Sequence, residues 1–171
     1  MFTIVLIEPQ IPPNTGSTGR LCGATNNRLH VVGELGFELS DRTLKRAGLD
    51  YWDHIEWEYF PNKEEYLNSM INEETFHLLT TKSHTPYTVR KFKKNDYLVF
   101  GSETKGIDDN FLRDNWENTC TIPMENENIR SLNLATSVGI VLYEGIRQVN
   151  RGQYTFIYYL IFGDYDLYDC L

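Results

Sequence analysis

The sequence predicts an α/β fold, a parallel sheet flanked by helices. Three observations carry that prediction. Short apolar runs of four to six residues alternate with segments of helical periodicity, the pattern left by parallel strands and their crossover helices. Three polar, loop-forming segments each follow such a run: Asn14-Thr15-Gly16, Gly101-Ser102-Glu103-Thr104-Lys105-Gly106, and the stretch from Ile122 to Leu134. In open parallel sheets the ligand crevice lies beyond the carboxyl ends of the strands, where all three segments fall. At 171 residues there is room for one such domain and a good core, and little for a second.

Taken in order, the first strand is Thr3–Ile7, and Pro12-Pro13 then introduces a helix that begins near Asn14 and carries Arg20 and Cys22. The run Leu29–Val32 is the second strand, and a helix is expected from Asp41. A third strand, His54–Tyr59, precedes a helix from Lys63, and a fourth, Phe76–Thr80, is followed by Tyr97–Phe100. A helix from Asp108 leads to the last strand, Thr119–Pro123. The final helix has the clearest pattern. Ser131 is a good N-cap, and Leu134, Val138, Val141, Leu142 and Ile146 recur on one face. Arg147 and Arg151 suit the negative pole of its dipole. Ala135 and Gly139 are small enough for another helix to approach closely.

Composition narrows the function classes. No run of about 20 apolar residues exists, so no membrane span is expected. The chain enters its first strand without a basic start and cleavage site. Cys22, Cys120 and Cys170 are odd in number, widely spaced and not paired as Cys-x-x-Cys. A reduced, cytoplasmic protein is the expectation. The net charge of −8 argues against nucleic acid, since phosphate neutralisation supplies much of that affinity. The charge is uneven, however. Arg20, Arg28, Arg42, Lys45, Arg46, Lys82, Arg90, Lys91, Lys93 and Lys94 fall in the first hundred residues, while acidic residues gather in 56–74, 108–127 and the tail. A basic face on an acidic protein is compatible with that distribution. His30, His54, His77 and His84 are scattered, and no cluster has metal-ligand spacing, so no metal site is expected.

Each polar segment also has a plain structural reading. Asn14-Thr15-Gly16, read alone, is a turn and helix cap. Its functional reading puts Arg20 one to two turns into the helix, facing the crevice, where a guanidinium grips phosphate. Because arginine stays protonated to a pKa above about 12, orientation and charge stabilisation suit it better than base catalysis. The segment 101–106 resembles a phosphate loop only superficially: its lysine precedes the glycine, where a Walker motif needs Gly-Lys-Ser/Thr. There is no Gly-x-Gly-x-x-Gly and no Gly-x-Ser-x-Gly, so neither a nicotinamide site nor a serine nucleophile is expected. Ile122 and Met124 are core residues by default. The Ile122–Leu134 stretch offers an apolar strand end, a loop of backbone donors and a helix N-terminus, together a seat for a small polar ligand.

In combination these segments resemble the SPOUT (SpoU–TrmD) methyltransferases, most closely the small TrmL-type tRNA (cytidine/uridine-34 2′-O)-methyltransferases. The resemblance runs from about Phe2 to Gly152. It rests on IVLIEPQIPPNTGSTGRLC, LKRAGLDYWDH, LLTTK, YLVFGSETKGI and TIPM followed by RSLNLATSVGIVLYEGIRQ. It implies a single methyltransferase domain over residues 1–152, with a deep trefoil knot towards the C-terminus, and an extension over 153–171. The knot comes from the resemblance alone.

It further implies S-adenosylmethionine as methyl donor, held by Leu79, Thr80, Gly101, Glu103, Ile122, Met124, Ser131 and Leu134. The implied reaction moves the methyl group to the ribose 2′-hydroxyl of the wobble nucleotide in the anticodon stem-loop of leucine tRNAs. Arg20, Asn14, Glu103 and Tyr143 match the family positions near the reacting hydroxyl. The family works as a homodimer through its first and last helices, so the RNA site draws on two chains.

Three features depart from the family pattern. Lys105 stands where many relatives have arginine, and Ser102 replaces a common proline. Relatives mostly end soon after the last helix, while this chain continues through Tyr154-Thr-Phe-Ile-Tyr-Tyr-Leu-Ile-Phe162, a run too short to span a bilayer. Two other functions compete with this one. A methyltransferase for ribosomal RNA or another tRNA position is disfavoured by the short chain, because such relatives often carry an added RNA-binding domain. A non-catalytic knotted RNA-binding protein is disfavoured by the intact Arg20, Gly101, Glu103 and Ser131-Leu-Asn-Leu134.

Overall fold

The strand β1 (Thr3–Ile7) is buried along its whole length. Successive Cβ atoms alternate across a strand. Ile4 and Leu6 therefore enter one hydrophobic cluster, and Val5 and Ile7 enter a second on the opposite face. A strand covered on both sides belongs at the centre of a parallel sheet, and β1 lies there. The computed structural model describes residues 1–38, 52–73 and 75–150. Among these residues the strands form one six-stranded sheet. It runs β3 (Trp57–Phe60), β2 (Arg28–Val32), β1, β5 (Tyr97–Phe100), β4 (Phe76–Leu79), β6 (Thr119–Cys120). All neighbours are parallel, with Thr3 opposite both Arg28 and Tyr97, and Leu78 opposite Thr119.

Helices α1 (Pro12–Thr25) and α4 (Leu134–Val149) cover one face. Helices α2 (Lys63–Glu73) and α3 (Asp109–Asp114) cover the other through Tyr66, Leu67, Met70 and Leu112. The three-layer α/β arrangement expected from the sequence is thus present. Full burial of side chains such as Leu6, Leu98 and Leu142 stabilises it by roughly 1.5–3 kcal/mol each. Small residues set the helix contacts. A Cβ on Gly145 would lie 2.9 Å from the Phe2 ring, so α4 sits directly on the chain entering β1. The helix that approaches Gly139 is α1 of the same chain, through Leu21.

Several boundaries differ from the expected ones. His54 belongs to a short 3-10 turn, Trp52–His54, and the strand begins only at Trp57. The last strand stops at Cys120 instead of reaching Pro123. Thr121 leaves the ladder with β4 and bridges Pro86 instead, with its N–H on the Thr85 carbonyl, and a proline supplies no N–H to a sheet ladder. The N-cap of the last helix is Asn133, not Ser131: the Asn133 side chain accepts the Thr136 N–H at 3.2 Å. The helix expected from Asp41, with Arg42, Lys45 and Arg46, and the 153–171 extension with Cys170 lie outside the described residues.

Candidate active site

Beyond the carboxyl ends of β4, β5 and β6, three loops and the start of α1 enclose a cleft of about 510 Å³. That size falls within the range of small-molecule and cofactor sites. Leu79 and Thr80 enter it from the end of β4, Gly101 to Gly106 from the loop after β5, and Ile122, Met124, Ser131 and Leu134 from the segment between β6 and α4. All eight residues that the resemblance assigns to the methyl donor line this one cleft.

Close backbone packing shapes the middle loop. A Cβ on Gly101 would lie 2.1 Å from the Gly106 carbonyl carbon, so only glycine lets the two ends of the loop touch. Gly106 turns the chain with φ +71° and donates its N–H to the Ser102 carbonyl at 2.9 Å. The Ser102 hydroxyl also accepts the Lys105 N–H at 3.1 Å.

A chain of polar contacts ties the loops together. One Glu103 oxygen accepts the Asn14 side-chain amide at 2.8 Å, and the other accepts the Gln10 backbone N–H at 2.8 Å. The Asn14 side-chain oxygen Oδ1 in turn accepts from the Asn133 side-chain amide at 2.9 Å. Asn133 caps α4, so its orientation is locked from both sides. An ionised carboxylate with two such donors holds its position more firmly than a neutral acceptor would. Lys82, Lys105 and Arg130 add three cationic side chains to the lining, Lys82 being paired with Asp109. The rim is therefore locally basic on a protein of charge −8.

Asn14 and Glu103 meet at the cleft, but Arg20 and Tyr143 do not line it. Arg20 is exposed on α1, and Tyr143 is 56% exposed on α4. Arg20, expected to face the crevice, lies off the cleft of this chain, and helix geometry accounts for that placement. Six residues beyond Asn14 carry Arg20 about 9 Å along the axis and onto a different face. The cleft meets only the start of α1, at Ile11 and Asn14. Asn133, Arg130 and Gln10 were not singled out from the sequence. Asn133 had a legible signal, since asparagine is among the best N-caps. Its second partner, Asn14, is 119 residues away and left no local trace. Among the described residues no group of His, Cys, Asp and Glu is arranged to hold a metal ion.

Comparison with known proteins places the chain. A family model described as the SpoU rRNA Methylase family matches residues 1–143. A relative from Methylovorus glucosotrophus, named tRNA (cytidine(34)-2'-O)-methyltransferase, is 43% identical over 150 residues, covering 86% of this chain and 96% of its own length. A solved structure described as giving insight into the 2-OH methylation of C/U34 on tRNA superposes with a TM-score of 0.80 at 36% identity, over 86% of this chain and 95% of that one. An AdoMet-bound rRNA methyltransferase from Sinorhizobium meliloti shares the fold, with a TM-score of 0.74 at 24% identity over 85% of this chain and 56% of that one. With most of its length under the family model and nearly all of a 43%-identical relative covered, the chain belongs to the SpoU rRNA methylase family and is a methyltransferase of the SPOUT class.

Proposed function

We propose that the protein transfers a methyl group from S-adenosylmethionine to the ribose 2′-hydroxyl of the wobble nucleotide, position 34, of leucine tRNAs. The observation that carries this is the single cleft in which Leu79, Gly101, Ile122, Met124 and Leu134 converge beside the Asn14–Glu103 contact. The names of the relatives support the tRNA position. The donor set suits an adenosyl group: apolar Leu79, Ile122 and Leu134 for its faces, and loop backbone around Gly101 for its edge. The donor, when bound, would supply a sulfonium methyl group to the 2′-oxygen, leaving as the neutral thioether while the hydroxyl proton passes to solvent.

The protein's own contribution is placement. Bringing a weakly acidic hydroxyl in line with the methyl carbon accounts for much of the acceleration in such reactions. Glu103, held by Gln10 and Asn14, and the cleft's cations Lys105 and Arg130 orient the ribose and its phosphates in this reading. We further propose a deep trefoil knot through the loops around the cleft, a cytoplasmic location, and a homodimer formed by α1 and α4. Dimerisation gives Arg20 and Tyr143, exposed and off their own chain's cleft, a place near the cleft of the second copy.

The test is to incubate the protein with labelled S-adenosylmethionine and bulk tRNA from a strain lacking this activity, then map the label. Label on the ribose of nucleotide 34 in leucine tRNAs is expected. Label at another RNA position would move the substrate, and no label with intact donor binding would overturn the proposed reaction.

A further inference from the structure

An open groove of about 470 Å³ adjoins the active-site cleft, walled by Lys82, Asp109, Leu112, Arg113 and Trp116. Lys82 lines the cleft as well, so the two spaces share that side chain as a border. The other four walls come from one short stretch of chain. Residues 109, 112, 113 and 116 are spaced by three and four, which sets them on one face of α3 and of the 3-10 turn Trp116–Asn118 that follows it.

That face is built before any ligand arrives. Asp108 caps α3 by accepting the N–H groups of Asn110 at 2.9 Å and Phe111 at 3.2 Å, and buried Leu112 anchors the helix in the core. The Asn115 side-chain amide donates to the Phe111 carbonyl at 3.0 Å, and the Thr119 hydroxyl donates to the Trp116 carbonyl at 2.8 Å. On this fixed backbone Trp116 is 47% exposed, although tryptophan is highly buried on average. The groove's one carboxylate, Asp109, is paired with Lys82, and Arg113 borders the groove with an exposed guanidinium. An accessible indole flanked by cations matches a nucleotide: the ring takes the base, and the cations take its phosphates.

We infer that this groove holds one base of the substrate RNA's single-stranded loop, a few nucleotides from the target, stacked on Trp116 with Arg113 and Lys82 on the adjoining phosphates. The inference rests on the proposed methylation of nucleotide 34, which lays an anticodon loop over the cleft that Lys82 borders. Bases of such a loop are unpaired and can be splayed onto an aromatic side chain. Stacking tolerates any base, because each has a π-face, so the contact positions the loop without choosing its sequence. An exposed ion pair is weak, so an arriving phosphate can draw Lys82 from Asp109. A protein segment is the competing occupant. The shared border with a cleft for RNA chemistry favours the nucleotide.

The experiment measures binding of a leucine tRNA to the wild type, Trp116→Ala and Trp116→Phe. It repeats the measurement with tRNAs in which one anticodon-loop nucleotide other than 34 lacks its base. Trp116→Ala is expected to weaken binding of the intact tRNA by about tenfold or more. S-adenosylmethionine affinity and the single-turnover rate at saturating tRNA are expected to stay unchanged, and Trp116→Phe, which keeps an aromatic face, to recover most of the loss. At one loop position, removing the base weakens the wild type by the same factor and Trp116→Ala no further. Three results overturn the inference while the proposed function stands: wild-type affinity in Trp116→Ala, a loss that persists at every abasic position, or a loss that follows a changed oligomeric state in sedimentation. A wild type that does not methylate position 34 of the intact tRNA overturns both.

Discussion

Replacing Gly101 by alanine tests how the cleft is built. The added Cβ would lie 2.1 Å from the Gly106 carbonyl carbon and 2.2 Å from the Ile107 nitrogen. Both are backbone atoms, so no rotamer change relieves the contact. The loop must open, which breaks the Gly106–Ser102 hydrogen bond and lifts Ile107, 4% exposed, from the core. Overpacking of this kind costs about 1–3 kcal/mol and a lost backbone hydrogen bond about 1 kcal/mol, together about 3 kcal/mol. For a chain of this size the midpoint of thermal unfolding falls by about 2–4 °C per kcal/mol, hence by about 6–12 °C. Gly106→Ala is the control. It has φ +71° but nothing within 4 Å of the new methyl, so only the left-handed backbone is penalised, by about 1 kcal/mol or 2–4 °C. Scanning calorimetry of the two variants, with S-adenosylmethionine titrated into each, reads both effects. Gly101→Ala unfolding within about 1 °C of wild type, or no lower than Gly106→Ala, would refute the close-packed loop.

Three further outcomes are expected. Arg20→Ala keeps donor affinity, because the residue does not line the cleft, and lowers the single-turnover methylation rate by about a hundredfold or more; an unchanged rate removes Arg20 from the reaction. Burial pushes the Cys22 and Cys120 thiols up to about 12, so native protein treated with iodoacetamide near neutral pH is labelled at neither, as peptide mass spectrometry will show. Burial, aided by Arg28, lowers His30 to about 4 from its ordinary 6.5, so the unfolded chain binds the extra proton first. The His30 contribution to stability is fully present above pH 6.5 and is lost as pH falls towards 4. His30→Gln removes that part of the slope in denaturant titrations, and an identical slope contradicts the assignment.

The sheet was legible because its strands carry their burial in their composition. Thr3–Ile7 and Tyr97–Phe100 are apolar enough to sit between two layers, and both lie where the apolar runs placed them. Edges read less well. Trp57–Phe60 borders solvent and lost its first residues to a turn, and Thr119–Cys120 is short because Thr121 pairs across to Pro86. The cleft-lining positions were found through resemblance, and their convergence agrees with loops gathering at strand ends. What the sequence hid was long-range pairing. Ser131 and Asn133 are both competent N-caps two residues apart. The choice between them is tied to Asn14, which no local pattern reveals. Helical periodicity placed Arg20 on α1, yet which face of that helix meets the cleft depended on where α4 packs.

The contact that ties Asn14 to Glu103 spans 89 residues, and the one that ties it to Asn133 spans 119. Contacts of such separation form late, after the entropy of closing large loops has been overcome. No fragment that lacks either Asn14 or Asn133 contains the whole cleft. During synthesis the first half can fold its strands against α1, but the polar chain through Asn14 stays incomplete until Asn133 has emerged. Any ligand of the cleft therefore binds only the finished fold, and its binding energy opposes global unfolding in full instead of steadying one region.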